Sequence, residues 1–248
     1  MKLLTFKLHG AEYLGALANT GIVNLGAAAP KDMAFSSMQN FIEAGQSALD
    51  RAYALLASNP ATLAFDQVDW LAPLPVPPQI RDCLGFEEHL KNSFKSALKL
   101  SAMSADDPVK AEQELAASGR FEVPEVWYQQ PLYYKANRFA VAQSGKDIMW
   151  PAYSEVMDFE LEIACVIGKK GKDINKGDAE DHIFGYTIYN DFSARDAQMV
   201  ESLGMLGPAK GKDFDDSIIL GPVIVTSDEL DDPYNLRMQA RVNGETWC

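Results

Sequence analysis

Short apolar runs separated by turn-forming residues mark the first 25 positions of the chain. Residues 2–7, 12–16 and 20–25 follow this pattern, with glycine and an Asn-Thr-Gly sequence between the runs. Each run has the length of a strand, and the residues between them favour tight turns. The pattern predicts three strands of a small antiparallel unit.

A helical repeat of apolar residues follows between Ser36 and Leu56. The repeat has the three- and four-residue spacing that places side chains on one face of a helix. The residues on this face are Met38, Phe41, Ile42, Leu49, Ala52, Tyr53 and Leu56. We expect this helix to pack on the antiparallel unit.

A cluster of prolines then interrupts the regular patterns. Segment 69–79 contains Pro73, Pro75, Pro77 and Pro78, which exclude a regular helix and favour an extended linker. The sequence therefore predicts a small N-terminal α/β domain over residues 1–70, a linker over 71–79 and a larger domain over 80–248.

Two polar helical segments precede a strand-rich region. Glu87 to Met103 is compatible with a helix, and Asp107-Pro108 begins a second helix that ends at Gly119. These helices would form either a cover over a site or a plain solvent-exposed excursion. The strand-like runs after Pro131 are PLYYKANRF, MDFELEIACVIG, HIFGYTIYND, SIILGPVIVT and NLRMQARV. The predicted fold class is α+β, mostly β.

The last of these runs ends in a strong turn signal. Asn243-Gly244 is typical of a two-residue hairpin turn, and only Glu245 to Cys248 follow for the returning strand. On this ground we expect a chain that is truncated at its C-terminus.

Composition and charge limit the partners and the compartment. The 248 residues include 35 acidic and 22 basic side chains, a formal net charge of -13, which repels nucleic acid and anionic membranes. No apolar run approaches the ~20 residues of a membrane-spanning helix, and the start has no signal-peptide pattern. The spacing of Cys83, Cys165 and Cys248 suggests neither a disulfide framework nor a zinc site, so we expect a cytoplasmic protein.

Three carboxylates alternate with apolar residues in the segment 157–163. Strand periodicity places Asp158, Glu160 and Glu162 on one face. The alternating residues predicted to face the core are Phe159, Leu161 and Ile163. Because neighbouring like charges repel, the carboxylate face is either wet or occupied by a cation, and spacing alone leaves both interpretations open.

A further carboxylate ends the next predicted strand. Asp191 closes HIFGYTIYND, and Ser193 with Asp196 fits a helix capping box directly after it. Asp191 would meet Glu160 and Glu162 if the two strands are neighbours. Oxygen ligands without Cys or His favour Mg²⁺ or Mn²⁺, with Ca²⁺ as an alternative, and disfavour zinc.

The order of these motifs resembles the catalytic domain of the fumarylacetoacetate hydrolase (FAH) family. The matching runs are DFELEIACVIGKKGKDI, AEDHIFGYTIYNDFSARDAQ, GKDFDDSIILGPVIVT and VNGE, and the resemblance covers residues 80 to 248. It implies a mixed β-roll catalytic domain behind a small N-terminal domain. It also implies that Glu160, Glu162 and Asp191 are the metal ligands.

The resemblance assigns roles to further residues. His89 matches a histidine that acts as general base on water, and Glu88 matches a carboxylate that is an additional metal ligand in some members. Lys212 matches a lysine that faces the developing negative charge of the substrate. As alternatives, His89 is a surface histidine on a polar helix, and Lys212 is a surface lysine beside Lys210.

Other matches concern substrate contacts and departures from the family pattern. Gln198 and Lys135 match residues near the substrate, and Arg195 is expected to be a structural ion-pair partner. Gly85-Phe86 replaces the usual Asn-Tyr, and Asn92 replaces the acidic residue of acylpyruvase-type members, which argues against an acylpyruvase mechanism.

The resemblance implies a Mg²⁺- or Mn²⁺-dependent hydrolase of aromatic or sugar catabolism. It would cleave a C–C bond of a small anionic 2-oxo or 1,3-diketo acid through a metal-held enolate, and family members are commonly homodimers. The same ligands also suit a decarboxylase, hydratase or isomerase of 2-oxo acids. A non-catalytic, metal-binding family member is the alternative from another class.

Overall fold

The chain groups into two compact units in the computed structural model, which describes residues 1–58, 60–103 and 105–247. One unit comprises Met1–Pro78 and Asn137–Cys248, and the other comprises Gln79–Ala136. The first 78 residues thus group with the later strands, and β-pairing between residues 2–3 and 224–225 joins them. The predicted domain division at residues 71–79 stays a prediction.

Strands are distributed along most of the chain. In chain order they are β1 (Lys2–Leu8), β2 (Ala11–Ala18), β3 (Gly21–Asn24), β4 (Asp69–Trp70), β5 (Ile80–Cys83), β6 (Tyr133–Ala136), β7 (Val141–Gln143), β8 (Met157–Asp158), β9 (Leu161–Ile167), β10 (Ile183–Asp191), β11 (Ser193–Ala194), β12 (Ile218–Leu220), β13 (Ile224–Thr226), β14 (Arg241–Val242) and β15 (Glu245–Thr246). The first three strands confirm the predicted antiparallel unit.

The helices lie mainly in the first half. They are α1 (Leu25–Ala28), α2 (Met38–Ala44), α3 (Gln46–Ala57), α4 (Glu87–Met103), α5 (Pro108–Ala117), α6 (Glu125–Gln129) and α7 (Arg195–Ser202). Single 3-10 turns lie at Met33–Ser36, Lys176–Asp178, Glu180–His182, Ser227–Glu229 and Pro233–Asn235. The predicted α+β, strand-rich class is confirmed. No helix in the described ranges is long and apolar enough to cross a membrane.

The helix predicted between Ser36 and Leu56 is two helices. Gly45 has φ +64, a conformation that side chains with a Cβ disfavour, and it separates α2 from α3. Most of the predicted apolar face packs inward, although Tyr53 is 37% exposed. Phe41 is fully buried, with its ring centroid 5.7 Å from Phe35 and 6.0 Å from Phe184 of β10. Packing of this helical pair on the strands is therefore confirmed.

Strand β10 organises the large sheet of the first unit. The strand order is β3-β2-β1-β13-β10-β12-β7, with β4 paired to β1 and β9 paired to β10. The β12–β7 pair is parallel and the other pairs are antiparallel. In this register Asp191 lies opposite Ile218, and Tyr189 lies opposite Glu162. The end of β10 therefore brings Asp191 near Glu162.

The prediction of one continuous strand through Asp158, Glu160 and Glu162 is wrong. β8 ends at Asp158 and pairs with β11, whereas β9 begins at Leu161 and pairs with β10. Side chains replace ladder partners at the break, because the Phe159 N–H donates to Oδ1 of Asp158 at 3.0 Å and the Glu160 N–H donates to Oδ1 of Asn190 at 3.1 Å. The residues predicted to face the core are only half-buried; they are Phe159, Leu161 and Ile163.

The second unit contains the two predicted polar helices. α4 has the predicted bounds, and α5 begins after Asp107, whose side chain accepts a hydrogen bond from the Lys110 N–H at 3.1 Å. Gly119 has φ +68 just beyond the end of α5. β5 and β6 form the antiparallel pair of this unit. Both helix predictions are confirmed, whereas their role as a cover stays a prediction.

The turn at Asn243-Gly244 forms as predicted. The two residues have φ +52 and +88, as a type I′ hairpin requires, and β14 pairs with β15 across them. The predicted strand NLRMQARV is shorter than expected, because only Arg241–Val242 is a strand. Cys165 carries a free thiol, and Cys248 lies outside the residues that the structure describes. The expected C-terminal truncation stays a prediction.

Candidate active site

Three predicted ligands converge at the end of β10. Glu160 lies in the break between β8 and β9, Glu162 lies on β9, and Asp191 is the last residue of β10. Each offers a carboxylate oxygen within 4.8 Å of those of the other two. Glu160 and Glu162 are half-buried and Asp191 is completely buried, so these charges need compensation by cations or hydrogen bonds.

Lys212 supplies one compensating charge. Its Nζ lies 2.7 Å from Oε2 of Glu160 and 2.7 Å from Oδ2 of Asp191, and its side chain is only 4% exposed. The interpretation of Lys212 as a surface lysine is therefore wrong. A buried ammonium between two carboxylates shows that this position attracts positive charge.

Arg195 supplies the second charge from the start of α7. Its Nη1 lies 2.7 Å from Oε1 of Glu160, and its Nη2 lies 2.7 Å from Oδ2 of Asp158. Nη1 also donates to Oε1 of Gln198 at 3.0 Å, which places Gln198 beside the cluster. The expected role of Arg195 as an ion-pair partner is confirmed. We call the group formed by Asp158, Glu160, Glu162, Asp191, Arg195 and Lys212 the charged centre.

Electrostatics in the charged centre keep Glu160 ionised. Burial acts to raise the pKa of Glu160, but the charge and hydrogen bond of Lys212, the charge of Arg195 and a hydrogen bond with Glu162 together lower it to about 2. Burial acts to lower the pKa of Arg195, but the charge of Glu160 and the hydrogen bonds that Arg195 donates to Asp158 and Glu160 raise it overall. Both partners are therefore charged at neutral pH.

The predicted capping box at Ser193 does not form. The Ser193 hydroxyl donates to the Asp191 carbonyl at 3.0 Å, and the N-cap residue of α7 is Ala194. Asp196 instead accepts hydrogen bonds from the backbone N–H of Glu155 at 2.8 Å and the hydroxyl of Ser154, and the former is the larger cause of its lowered pKa. Asp196 therefore binds a segment that is distant in the sequence instead of Ser193.

The other predicted site residues belong to the second compact unit. Glu88 and His89 are exposed in the first turn of α4, and His89 Nε2 lies 3.5 Å from the Ser93 hydroxyl. Lys135 is exposed on β6, opposite Arg81 of β5. The metal-binding, general-base and substrate-binding roles assigned to these residues stay predictions.

We did not predict from the sequence that Asn190 and Glu201 contribute to the site. Asn190 orients the Glu160 backbone through its side chain, as described for the strand break. Glu201 accepts hydrogen bonds from the backbone N–H groups of Ala209 and Gly211, next to Lys212. A sequence signal existed for Glu201, since it follows Arg195 and Gln198 at three-residue spacing on one helix face.

The charged centre fits a hard divalent cation. Its candidate ligand atoms are carboxylate oxygens, which Mg²⁺, Mn²⁺ and Ca²⁺ prefer, and nitrogen or sulfur ligands typical of zinc are absent from the described group. The oxygens are close enough to share one ion, and two cationic side chains are already drawn to them. Glu160, Glu162 and Asp191 thus form a group able to hold a divalent metal.

Comparison with known proteins identifies the family of the chain. Residues 101–247 match the family model described as "Fumarylacetoacetate (FAA) hydrolase C-terminal". The chain is 35% identical over 208 residues to "Oxaloacetate tautomerase fahd2, mitochondrial" of Xenopus laevis, an alignment that covers 84% of this chain and 56% of the relative. It is 33% identical over 185 residues to "Oxaloacetate tautomerase YisK" of Bacillus subtilis (strain 168), which covers 73% and 51%. The chain thus spans little more than half the length of these curated relatives.

Solved structures show the fold. Fumarylacetoacetate hydrolase from Exiguobacterium antarcticum gives a TM-score of 0.68 at 24% identity, covering 99% of this chain and 73% of that one. Maleylpyruvate hydrolase from Sphingobium sp. SYK-6, in complex with manganese (II) ion and pyruvate, gives 0.65 at 20% identity, covering 99% and 75%. The predicted FAH-type fold is confirmed, and the related proteins are enzymes named as hydrolases, isomerases and tautomerases. The chain belongs to the fumarylacetoacetate hydrolase family.

Proposed function

We propose that this chain is a divalent-metal-dependent enzyme that acts on a small 2-oxo acid by way of its enol or enolate form. The observation that carries the proposal is the buried contact of Lys212 with Glu160 and Asp191, beside Glu162. Such a centre combines ligands for a hard cation with a cationic hydrogen-bond donor. Both features suit a reaction in which negative charge develops on a substrate oxygen.

Three residues would hold the ion and one would face the substrate. Glu160, Glu162 and Asp191 are the proposed ligands of Mg²⁺ or Mn²⁺, and the manganese in the Sphingobium maleylpyruvate hydrolase supports this choice. A bound divalent ion supplies positive charge that favours the enolate of a 2-oxo acid. An ammonium has three N–H donors, so Lys212 can bind Glu160 and Asp191 and still donate to a substrate oxygen.

Keto–enol tautomerisation of oxaloacetate is the reaction that we propose first. Seven relatives carry the name oxaloacetate tautomerase, and the chain is 32 to 35% identical to them. The reaction moves a proton between C3 and the C2 oxygen and breaks no carbon–carbon bond. It therefore needs a proton carrier and stabilisation of the enolate, but no attacking water.

Hydrolysis of a C–C bond in a 2-oxo or 1,3-diketo acid is the second candidate. The name of the Sphingobium maleylpyruvate hydrolase favours it. Water would add its hydroxyl to the distal carbonyl carbon and its proton to the carbon that leaves, so a general base is required. His89 is the proposed base, and this role distinguishes the two reactions.

The test uses the chain with Mg²⁺ or Mn²⁺, before and after EDTA. Enol oxaloacetate is followed by the loss of its absorbance, and acylpyruvates and fumarylpyruvate are followed by the release of pyruvate. Interconversion without pyruvate or CO₂ identifies a tautomerase, pyruvate from an acylpyruvate identifies a hydrolase, and CO₂ from oxaloacetate identifies a decarboxylase. Glu160→Gln should abolish activity, and the exposed Glu43→Gln should not.

The opposite result is equally clear. Tight binding of Mn²⁺ without turnover of any of these acids would contradict the enzymatic proposal and favour a non-catalytic, metal-binding family member. Turnover that EDTA leaves unchanged would contradict the metal requirement.

Assembly and compartment also remain proposals. We propose a homodimer, which sedimentation would test. We expect a cytoplasmic location, whereas the names of several animal relatives include the word "mitochondrial". Fractionation of the source cell would distinguish the two compartments.

A further inference from the structure

The loop that carries Lys212 is tied to helix α7 by one carboxylate. Oε1 of Glu201 accepts the N–H of Ala209 at 2.8 Å and the N–H of Gly211 at 3.1 Å. The carbonyl of Gly211 accepts the N–H of Ala194 at 2.8 Å. Residues 209–211 of the loop are therefore hydrogen-bonded both to the residue that precedes α7 and to the last turn of α7.

Close packing makes this attachment specific. A Cβ at Gly211 would lie 2.6 Å from Cβ of Gln198 and 2.9 Å from Oε1 of Glu201, which is closer than Cβ atoms in proteins essentially ever come to such neighbours. Gly211 thus lets the backbone approach α7 closely enough for its N–H to reach Glu201. Any displacement of the Glu201 carboxylate removes an acceptor from two neighbouring N–H groups.

Lys212 follows directly on this attachment. Its backbone N–H donates to the Ala209 carbonyl at 2.9 Å, and its carbonyl accepts the Ser217 hydroxyl at 2.6 Å. Its ammonium then reaches Glu160 and Asp191. The ammonium position is therefore set by a backbone that Glu201 holds from one side.

We propose that Glu201 is a positioning residue, which fixes the Ala209–Lys212 backbone and through it places the Lys212 ammonium in the charged centre. Arg195 at the start of the same helix contacts Glu160, so one helix orients both cations of the centre. The kinetic consequence of this inference rests on the proposed function, whereas its structural consequence does not.

Two readouts that need no turnover test the contact. In Glu201→Ala, hydrogen exchange of the Ala209 and Gly211 amides, measured by NMR, should accelerate by about tenfold or more, because two charge-assisted hydrogen bonds are lost. Acylation of Lys212 by an amine-reactive reagent, measured by mass spectrometry, should also rise from the low level of a buried amine. Glu201→Gln keeps an acceptor oxygen of the same reach and should stay close to the unsubstituted protein.

Matched variants guard against a general disturbance. Ser202→Ala alters the exposed neighbour of Glu201 on α7 and should change neither readout. If Glu201→Ala does not fold, Glu201→Asp carries the same test, because its shorter side chain cannot reach both amides. Unchanged exchange and unchanged Lys212 acylation in a folded Glu201→Ala or Glu201→Asp variant would overturn the proposal.

Kinetics separates a positioning role from a merely structural one. Glu201→Ala should lower kcat, and Glu201→Gln should restore it. Because Glu201 acts through Lys212, the double variant Glu201→Ala/Lys212→Met should be no slower than Lys212→Met alone. Additive losses would overturn the proposal. If the unsubstituted protein shows no turnover, the proposed function fails, while exchange and acylation still decide the role of Glu201.

Discussion

Two buried regions of the first unit differ in what holds them together. The apolar region lies between the N-terminal helices and the sheet, with Phe41 at its centre, and the charged centre lies at the far end of β10. β10 takes part in both, since Phe184 packs against Phe41 and Asp191 contacts Lys212. Removal of apolar surface from water stabilises the first region, whereas buried charges in the second offset their desolvation only through their partners. The apolar region stabilises the fold, whereas the charged centre is the proposed site of the reaction, and burial of its charges costs desolvation free energy.

Removal of the buried ammonium should have the largest effect. Lys212→Met is expected to lower turnover by about 10²–10³-fold, because a donor for developing charge is lost. In the metal-free protein it should also lower the free energy of unfolding by about 3–5 kcal/mol, because Glu160 and Asp191 lose a buried partner. Kinetics and urea unfolding measure the two effects.

The neighbouring Lys210 provides the control for that substitution. Lys210 is exposed and lies over the Tyr153 ring, so Lys210→Met should leave turnover nearly unchanged. Equal activity of Lys212→Met and the unsubstituted protein would remove Lys212 from the mechanism.

Loss of a central aromatic ring should affect the apolar region alone. Phe41→Ala is expected to lower the free energy of unfolding by about 3–5 kcal/mol, because it leaves a cavity among fully buried side chains. Turnover per folded molecule should stay the same. Met33→Ala, at a side chain that is 72% exposed, is the control for thermal or urea unfolding. A selective loss of turnover in Phe41→Ala would contradict the separation of the two regions.

Replacement of the guanidinium by an ammonium should have a smaller effect. Arg195→Lys keeps the charge but cannot span Asp158 and Glu160 with one planar group, so we expect a loss of about 1–2 kcal/mol in the free energy of unfolding. Arg51→Lys, at an exposed pair with Asp32, is the matched control and should change stability little. Equal losses in the two variants would show that burial of the Arg195 pair is unimportant.

The pH dependence of stability should change least. Because the pKa of Glu160 is lowered from 4.5 to about 2, its ionisation contributes stability that is complete above 4.5 and is lost as pH falls through about 2. In metal-free protein, Glu160→Gln should therefore flatten the decline of unfolding free energy in this window. Glu43→Gln should retain the original slope. Parallel profiles for Glu160→Gln and the unsubstituted protein would disprove the contribution of Glu160.

Local patterns predicted most elements and the converging carboxylates. The bounds of α4 and the turn at Asn243-Gly244 depend on neighbouring residues, so the sequence predicts them well. The break after Asp158 depends on Asn190, which is distant along the chain and replaces a ladder partner. Periodicity therefore predicted a continuous strand where a nonlocal side chain ends it.

Long-range partners also explain the other differences. Asp196 has the residue type of a capping box, yet it binds Ser154 and Glu155 from a separate segment. Because the apolar repeat continues on both sides of Gly45, periodicity predicted one helix. The positive φ of Gly45, which separates α2 from α3, does not change that repeat. The hydrogen bonds that the Glu201 carboxylate accepts from a loop leave no periodic pattern in the sequence, although the helical spacing of Glu201 from Arg195 does.

The formal charge of the centre makes it sensitive to ionic strength. The six residues that define the centre comprise four carboxyl groups and two cationic side chains, so their formal charge with every carboxyl group ionised is -2. Dissolved salt screens the attraction of such a group for an approaching ion over a Debye length of about 10 Å at 0.1 M. Added salt should therefore slow capture of a divalent cation more than it speeds release, because an ion already lying among the carboxylates is screened much less.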